Sequence, residues 1–188
     1  MKNLKSIALA LVVVLSAVTI SAQTKKIDAS ASTIEWLGKK VTGKHNGTVN
    51  FKDGAVVLKS GKLVGGSFTV DMASLTATDL SGEYQGKLNG HLKADDFFGT
   101  EKFPTASLVF KKIKAVSTSL YTITADLTIK GITKPVNFDL AVNGNTATTA
   151  FNVDRTKYDI KYGSKSFFDS IGDKAISDEF ELKIALNF

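Results

Sequence analysis

Near the end of the chain, apolar Phe180, Leu182, Ile184, Leu186 and Phe188 alternate with Glu181, Lys183, Ala185 and Asn187. A two-residue period belongs to a β-strand with one oily face and one wet face. The same pattern recurs upstream. Tyr121, Ile123, Ala125, Leu127 and Ile129 alternate with Thr122, Thr124, Asp126, Thr128 and Lys130, and Val136, Phe138, Leu140 and Val142 alternate with Asn137, Asp139 and Asn143. Turn-forming pairs (Asn46-Gly47, Asp53-Gly54, Gly65-Gly66 and Asn143-Gly144) punctuate the chain and suit hairpins or bulges. The spacing predicts strands near Thr33–Val41, Thr48–Phe51, Ala55–Leu58, Lys62–Met72, Ala106–Ile113, Leu120–Lys130, Lys134–Asn143, Thr146–Asp154 and Ala175–Phe188. Many antiparallel strands in sequence, with no repeat or linker between them, predict one all-β domain closed as a barrel or sandwich.

Two stretches break the alternation. Between Ser74 and Pro104, Tyr84, Leu88, Leu92 and Phe97 fall near helical spacing, and Asp95-Asp96-Phe97-Phe98-Gly99 suits a short helical turn closed by glycine. The second is Ser166-Phe167-Phe168-Asp169-Ser170-Ile171-Gly172. Both carry paired phenylalanines, and both are expected to be short helical segments covering a barrel mouth.

The N-terminus follows a different rule. Lys2 and Lys5 precede an apolar run, Ile7 to Ile20, broken only by Ser16 and Thr19, and Ile20-Ser21-Ala22 ends in a small residue. This is the layout of a cleaved export signal, with the cut expected after Ala22 and the domain spanning 23–188. The run falls short of the roughly 20 apolar residues that a spanning helix needs. An exported, periplasmic protein is the expectation.

Composition narrows the chemistry. The chain has no cysteine, which removes disulfides, thiol catalysis and cysteine metal sites. Its net charge of +6 includes Lys2 and Lys5, and the remaining lysines are scattered rather than striped, so no nucleic-acid footprint is expected. His45 and His91 are the only histidines. The spacing of His91 to Asp95 and Asp96 is a weak ligand pattern, and no metal or other cofactor is expected. No nucleophile elbow, phosphate loop or HExxH motif is present, so no catalytic residue is assigned. Arg155, the sole arginine, ends an alternating strand, and its expected job is to pair with a carboxylate such as Asp154, Asp159 or Asp178.

By strand parity, Trp36, Val49, Phe51, Phe68, Val70, Met72, Leu108, Phe110, Ile123, Leu127, Phe138, Leu140, Phe151, Phe180, Leu182 and Ile184 point inward. Those expected to touch a ligand are Trp36, Phe68, Val70, Met72, Leu108, Phe110, Phe138 and Phe151. Leu88, Leu92, Phe97, Phe98, Phe167 and Phe168 join them from the cover segments.

Several segments together resemble the YceI-like family of secreted, lipocalin-like proteins. They include Ile34-Glu35-Trp36-Leu37-Gly38-Lys39, Gly66-Ser67-Phe68-Thr69-Val70-Asp71-Met72 and Gly90-His91-Leu92-Lys93-Ala94-Asp95-Asp96-Phe97-Phe98-Gly99. Leu127-Thr128-Ile129-Lys130-Gly131-Ile132-Thr133-Lys134-Pro135-Val136 and Asp154-Arg155-Thr156-Lys157-Tyr158 extend the likeness, in order, over nearly the whole domain. The resemblance implies an eight-stranded antiparallel barrel with an amphipathic lid and an elongated apolar cavity. It also implies a ligand such as a polyprenyl chain, a quinone or a fatty-acid-like amphiphile, carried without catalysis. Two alternatives stand beside this reading. An eight-stranded outer-membrane barrel would also end on Phe188, but it wants aromatic girdles and longer strands. An enzyme acting on a lipid head group is the other. Whether two copies pair as a homodimer is left open by the sequence.

Overall fold

The computed structural model describes residues 21–168 and 172–188; the expected export signal lies outside the described residues, apart from Ser21 and Ala22. Nine strands follow in chain order: β1 (Gln23–Lys26), β2 (Thr33–Lys40), β3 (Gly43–Lys59), β4 (Lys62–Ala77), β5 (Thr105–Ala115), β6 (Leu120–Ile129), β7 (Ile132–Asn143), β8 (Thr146–Asp154) and β9 (Ile176–Asn187). The helix α1 (Gly82–Lys93) interrupts them between β4 and β5. Every neighbouring pair is antiparallel. The sheet runs β1-β3-β2-β9-β8-β7-β6-β5-β4, and the β3–β4 pairing closes it. β2 to β9 therefore form an eight-stranded barrel, with β1 laid against β3.

The alternation in the sequence becomes the inside and outside of this barrel. Along β6 the even positions Thr122, Thr124, Asp126 and Thr128 are half-exposed, while Tyr121, Ile123, Ala125, Leu127 and Ile129 are buried. Buried apolar residues from all the barrel strands make one continuous core. At about 25 cal/mol per Å² of apolar surface removed from water, this inner face is the main source of stability.

β3 departs from expectation. It is one strand from Gly43 to Lys59, where the turn-forming pairs predict separate strands at Thr48–Phe51 and Ala55–Leu58. Asn46-Gly47 and Asp53-Gly54 do not reverse the chain. They lie beside register shifts between Thr48 and Asn50 and between Phe51 and Asp53, bulges that bend β3 around the barrel. Gly47 is needed there, because a Cβ would stand 1.9 Å from the Thr76 carbonyl oxygen. β4 likewise runs straight through Gly65-Gly66 and on to Ala77. β1 has no sequence signal, being four polar residues that gain their order only from β3.

The upper half of β4 lies next to α1 rather than β5, whose pairing with β4 ends at Asp71–Thr105. Two amide side chains fasten the helix. Asn89 accepts from the Ala77 amide (2.8 Å) and donates to Thr76 (2.9 Å), and Gln85 donates to the Ala77 carbonyl (2.7 Å). β7 and β8 pair only near their hairpin, from Ala141–Thr148 to Asn143–Thr146. Beyond it the two strands separate, linked by a hydrogen bond from the Thr149 hydroxyl to the Asp139 carbonyl (2.6 Å). Pro135, which brings no amide hydrogen, stands in this unladdered half of β7.

Of the second expected cover helix, Asp169, Ser170 and Ile171 lie outside the described residues, and the described residues on either side carry no α-helix. Residues 161–168 are turns and irregular backbone, and a short 3-10 turn, Gly172–Lys174, precedes β9. Phe167 and Phe168 are about half exposed, while their amides donate to the carbonyl of the buried Ser164 (3.3 and 3.1 Å).

Candidate ligand cavity

Inside the barrel lies an elongated cavity of about 160 Å³. It reaches from Ile34, Leu140 and Leu186 at the hairpin end of β7–β8 to Leu92, Phe97 and Phe98 below α1. At ~10–15 Å³ per group, it has room for roughly 10–15 water- or methylene-sized groups. Trp36, Phe68, Val70, Met72, Leu108, Phe110, Phe138 and Phe151 line it, together with Leu92, Phe97 and Phe98 from the cover segment. Leu88 does not. It is half-buried and packs on the core beside the cavity. Phe167 and Phe168 are also outside the lining, since their loop turns them to solvent.

Aromatic rings band the cavity. Phe51 meets Phe68 at 6.1 Å between centroids, Phe68 meets Phe110 at 5.6 Å, and Phe110 meets Phe138 at 6.1 Å. Phe138 then stacks on Phe151 at 4.6 Å and 13°, across the separated β7 and β8. Glycines make room for the band. A Cβ on Gly66 would lie 2.6 Å from the Phe110 ring, and one on Gly54 would lie 2.6 Å from Phe68. Asn143-Gly144 is a true turn, at the β7–β8 hairpin, whereas Gly47, Gly54 and Gly66 are places where a ring lies against bare backbone.

At the α1 end, Phe97 packs on Phe98 (5.2 Å) and Phe98 on Phe180 (6.2 Å). His91 edges onto Phe97 and Tyr162, and its Nε2 is buried without a hydrogen-bond partner, 3.7 Å from Asp96 Oδ2. Ring packing places it. His45 is bonded to Asp79 (2.9 Å), joining the start of β3 to the segment between β4 and α1. Asp95 is engaged by Lys102, so the His91, Asp95 and Asp96 grouping is divided among other contacts.

Arg155 is the polar residue set deepest in the wall, with 2% of its surface exposed. Its Nε donates to the Ser177 carbonyl (2.8 Å), Nη1 to Ile160 (2.8 Å) and Nη2 to Ile176 (3.1 Å). Asp178 Oδ1 lies 3.7 Å from Nη2, and the guanidinium faces the Phe97 ring at 5.7 Å. Burial pulls the arginine below its ordinary pKa, opposed by Asp178 and Asp154. The expectation of a carboxylate partner is met only at that longer distance; the principal partners are backbone carbonyls. Arg155 joins the 3-10 turn Arg155–Tyr158 to the start of β9. It also lines the cavity, as do Ile176, Ser177 and Glu179, none of which is among the inward residues expected above. Ile176 shares the parity of Phe180, whereas Ser177 and Glu179 have the opposite parity on β9 and Arg155 lies beyond the end of β8.

A family model described as the YceI-like domain matches residues 26–188. Among curated proteins, a UPF0312 protein of Pseudomonas putida (strain W619) is 31% identical over 87 residues, covering 42% of this chain and 45% of that protein. A UPF0312 protein of Staphylococcus aureus (strain USA300) is 41% identical over 56 residues, 30% of each chain. The matched region spans less than half the length of these curated relatives. Among solved structures, BcnA of Burkholderia cenocepacia superposes with a TM-score of 0.67 at 23% identity, over 85% of this chain and 98% of its own. A polyisoprenoid binding domain from Saccharophagus degradans superposes with a TM-score of 0.58 at 15% identity, over 89% and 97%. Both share the fold.

Proposed function

The chain belongs to the YceI-like family, and we propose that it is a non-catalytic carrier holding an elongated apolar lipid in its barrel. The observation that carries this reading is the apolar, ring-lined cavity inside the closed barrel. A lipid tail occupying 10–15 methylene-sized positions gains roughly 8–12 kcal/mol on transfer from water. That exceeds the lower estimates of the association cost, about 4 kcal/mol, so binding needs no strong polar contact. The polyisoprenoid binding domain among its structural neighbours supports a prenyl chain, quinone or similar amphiphile as the cargo class. The lysine- and threonine-bearing outer face and apolar interior are the reverse of an outer-membrane barrel, and favour the carrier over that alternative. No helix among the described residues is long and apolar enough to cross a membrane. Export to the periplasm, with cleavage after Ala22, completes the proposal and rests on the Lys2–Ala22 pattern.

Native purification, organic extraction and mass spectrometry test it. The expected result is a stoichiometric apolar molecule, lost in a Val70→Trp variant that stays folded but fills the cavity. Folded wild-type protein that carries no such molecule and takes up no added polyprenol, quinone or fatty acid would overturn the reading.

A further inference from the structure

At the α1 end, two segments converge on the start of β9. The β2–β3 turn is tied there by the Val41 amide to the Ala175 carbonyl (3.1 Å), and loop 161–168 by the Ile176 amide to the Gly163 carbonyl (2.8 Å). Between them lies an open groove lined by Lys39, Lys40, Val41, Lys165 and Ala175 to Asp178. Ile176 and Ser177 line both this groove and the lipid cavity, so the two are separated by the thickness of one wall. Around the groove stand Val41, Tyr162, Phe167 and Phe168, each 48–58% exposed. The acids nearby are engaged: Asp159 with Lys161 (2.8 Å), Asp178 with Ser166 and Arg155, and Asp154 with Thr156 and Lys157. Lys39, Lys40, Lys44, Lys165 and Lys174 enter no ion pair among the described residues, against an exposed Asp173.

We propose that this rim docks on an anionic lipid surface, with Phe167, Phe168, Tyr162 and Val41 entering the head-group layer and the lysines meeting lipid phosphates. The inference builds on the carrier reading, because it places the cavity wall against the bilayer that would give or receive the cargo. Charge complementarity selects the partner. Exposed rings beside lysines that enter no ion pair among the described residues match an interface that is apolar below and negative above.

Flotation of the mature protein with vesicles tests it. Binding is expected to phosphatidylcholine vesicles containing phosphatidylglycerol, to weaken as salt is raised, and to fall sharply on phosphatidylcholine alone. Lys39→Gln/Lys40→Gln/Lys165→Gln should weaken partitioning about 100-fold, at roughly fivefold per lysine. Phe167→Ser/Phe168→Ser should weaken it while leaving the extracted lipid and the melting temperature unchanged. A control, Lys111→Gln/Lys112→Gln/Lys114→Gln on β5 at the opposite end, should bind as wild type. No flotation with anionic vesicles at low salt, or equal loss in the control, would overturn the docking proposal. Cargo content is read separately in each variant, so an empty cavity counts against the carrier reading and an unbound vesicle against the docking.

Discussion

At the residue scale, Arg155 and Tyr158 bear the largest consequences. Arg155 satisfies three carbonyls at once from a fully buried position. Arg155→Met strands those acceptors and Asp178, and should cost about 3–5 kcal/mol. For a domain of this size that lowers the melting temperature by roughly 6–20 °C, read by calorimetry. Arg155→Lys keeps the charge without the fork and should fall between the two proteins. Tyr158 closes the same turn with its side chain buried, and burial, then Asp154, pushes its phenol up to about 12. The fold favours the neutral phenol, so this contribution is complete below pH 10 and is lost as pH rises from there through about 12. Denaturant titrations should show wild type losing stability over that window faster than Tyr158→Phe. Neither role was fully legible. The sequence marked Arg155 as solitary and structural, but nothing in it says that backbone carbonyls would be the partners, since these come from a loop and a strand start whose positions are tertiary.

At the element scale, the glycines divide by what surrounds them. Gly47 in β3 faces the Thr76 carbonyl and Trp36, so Gly47→Ala should destabilise by about 1–3 kcal/mol through overpacking. Gly86 in α1 has open space around it and an ordinary helical backbone, so Gly86→Ala should stabilise by about 0.5–1 kcal/mol. Chemical denaturation of the two variants should move the midpoint in opposite directions. The same contrast explains what could be read in advance. β6 and β9 were legible because alternation and burial are one fact seen twice. β3 was not, because Asn-Gly and Asp-Gly signal a turn or a bulge equally well, and the choice is made by the strands on either side. In the cover segments, helical spacing placed Leu92 correctly, yet a Phe-Phe pair carries no direction. Phe97 and Phe98 turned in, and Phe167 and Phe168 turned out.

At the scale of the whole molecule, eight strands enclose the cavity, but their joints are unequal. Seven of the eight seams carry runs of paired residues, whereas β7 and β8 share three pairs beside the hairpin. Above it the wall is held by the Phe138–Phe151 stack and the Thr149 hydroxyl. Widening there separates two rings and one side-chain hydrogen bond rather than a ladder of backbone bonds, each worth about 0.5–1.5 kcal/mol net. A container with a rigid girth measures its contents, accepting chains up to a limit and rejecting the next. One that yields along a single slit sorts by degree. Affinity across a series of saturated chains should therefore taper gradually beyond the roughly 10–15 carbons that the resting volume holds. An abrupt cut-off in a competition assay would show the slit to be shut. Selectivity in such a barrel is elastic, and its tolerance for cargo is written into the seam where the sheet pairs least.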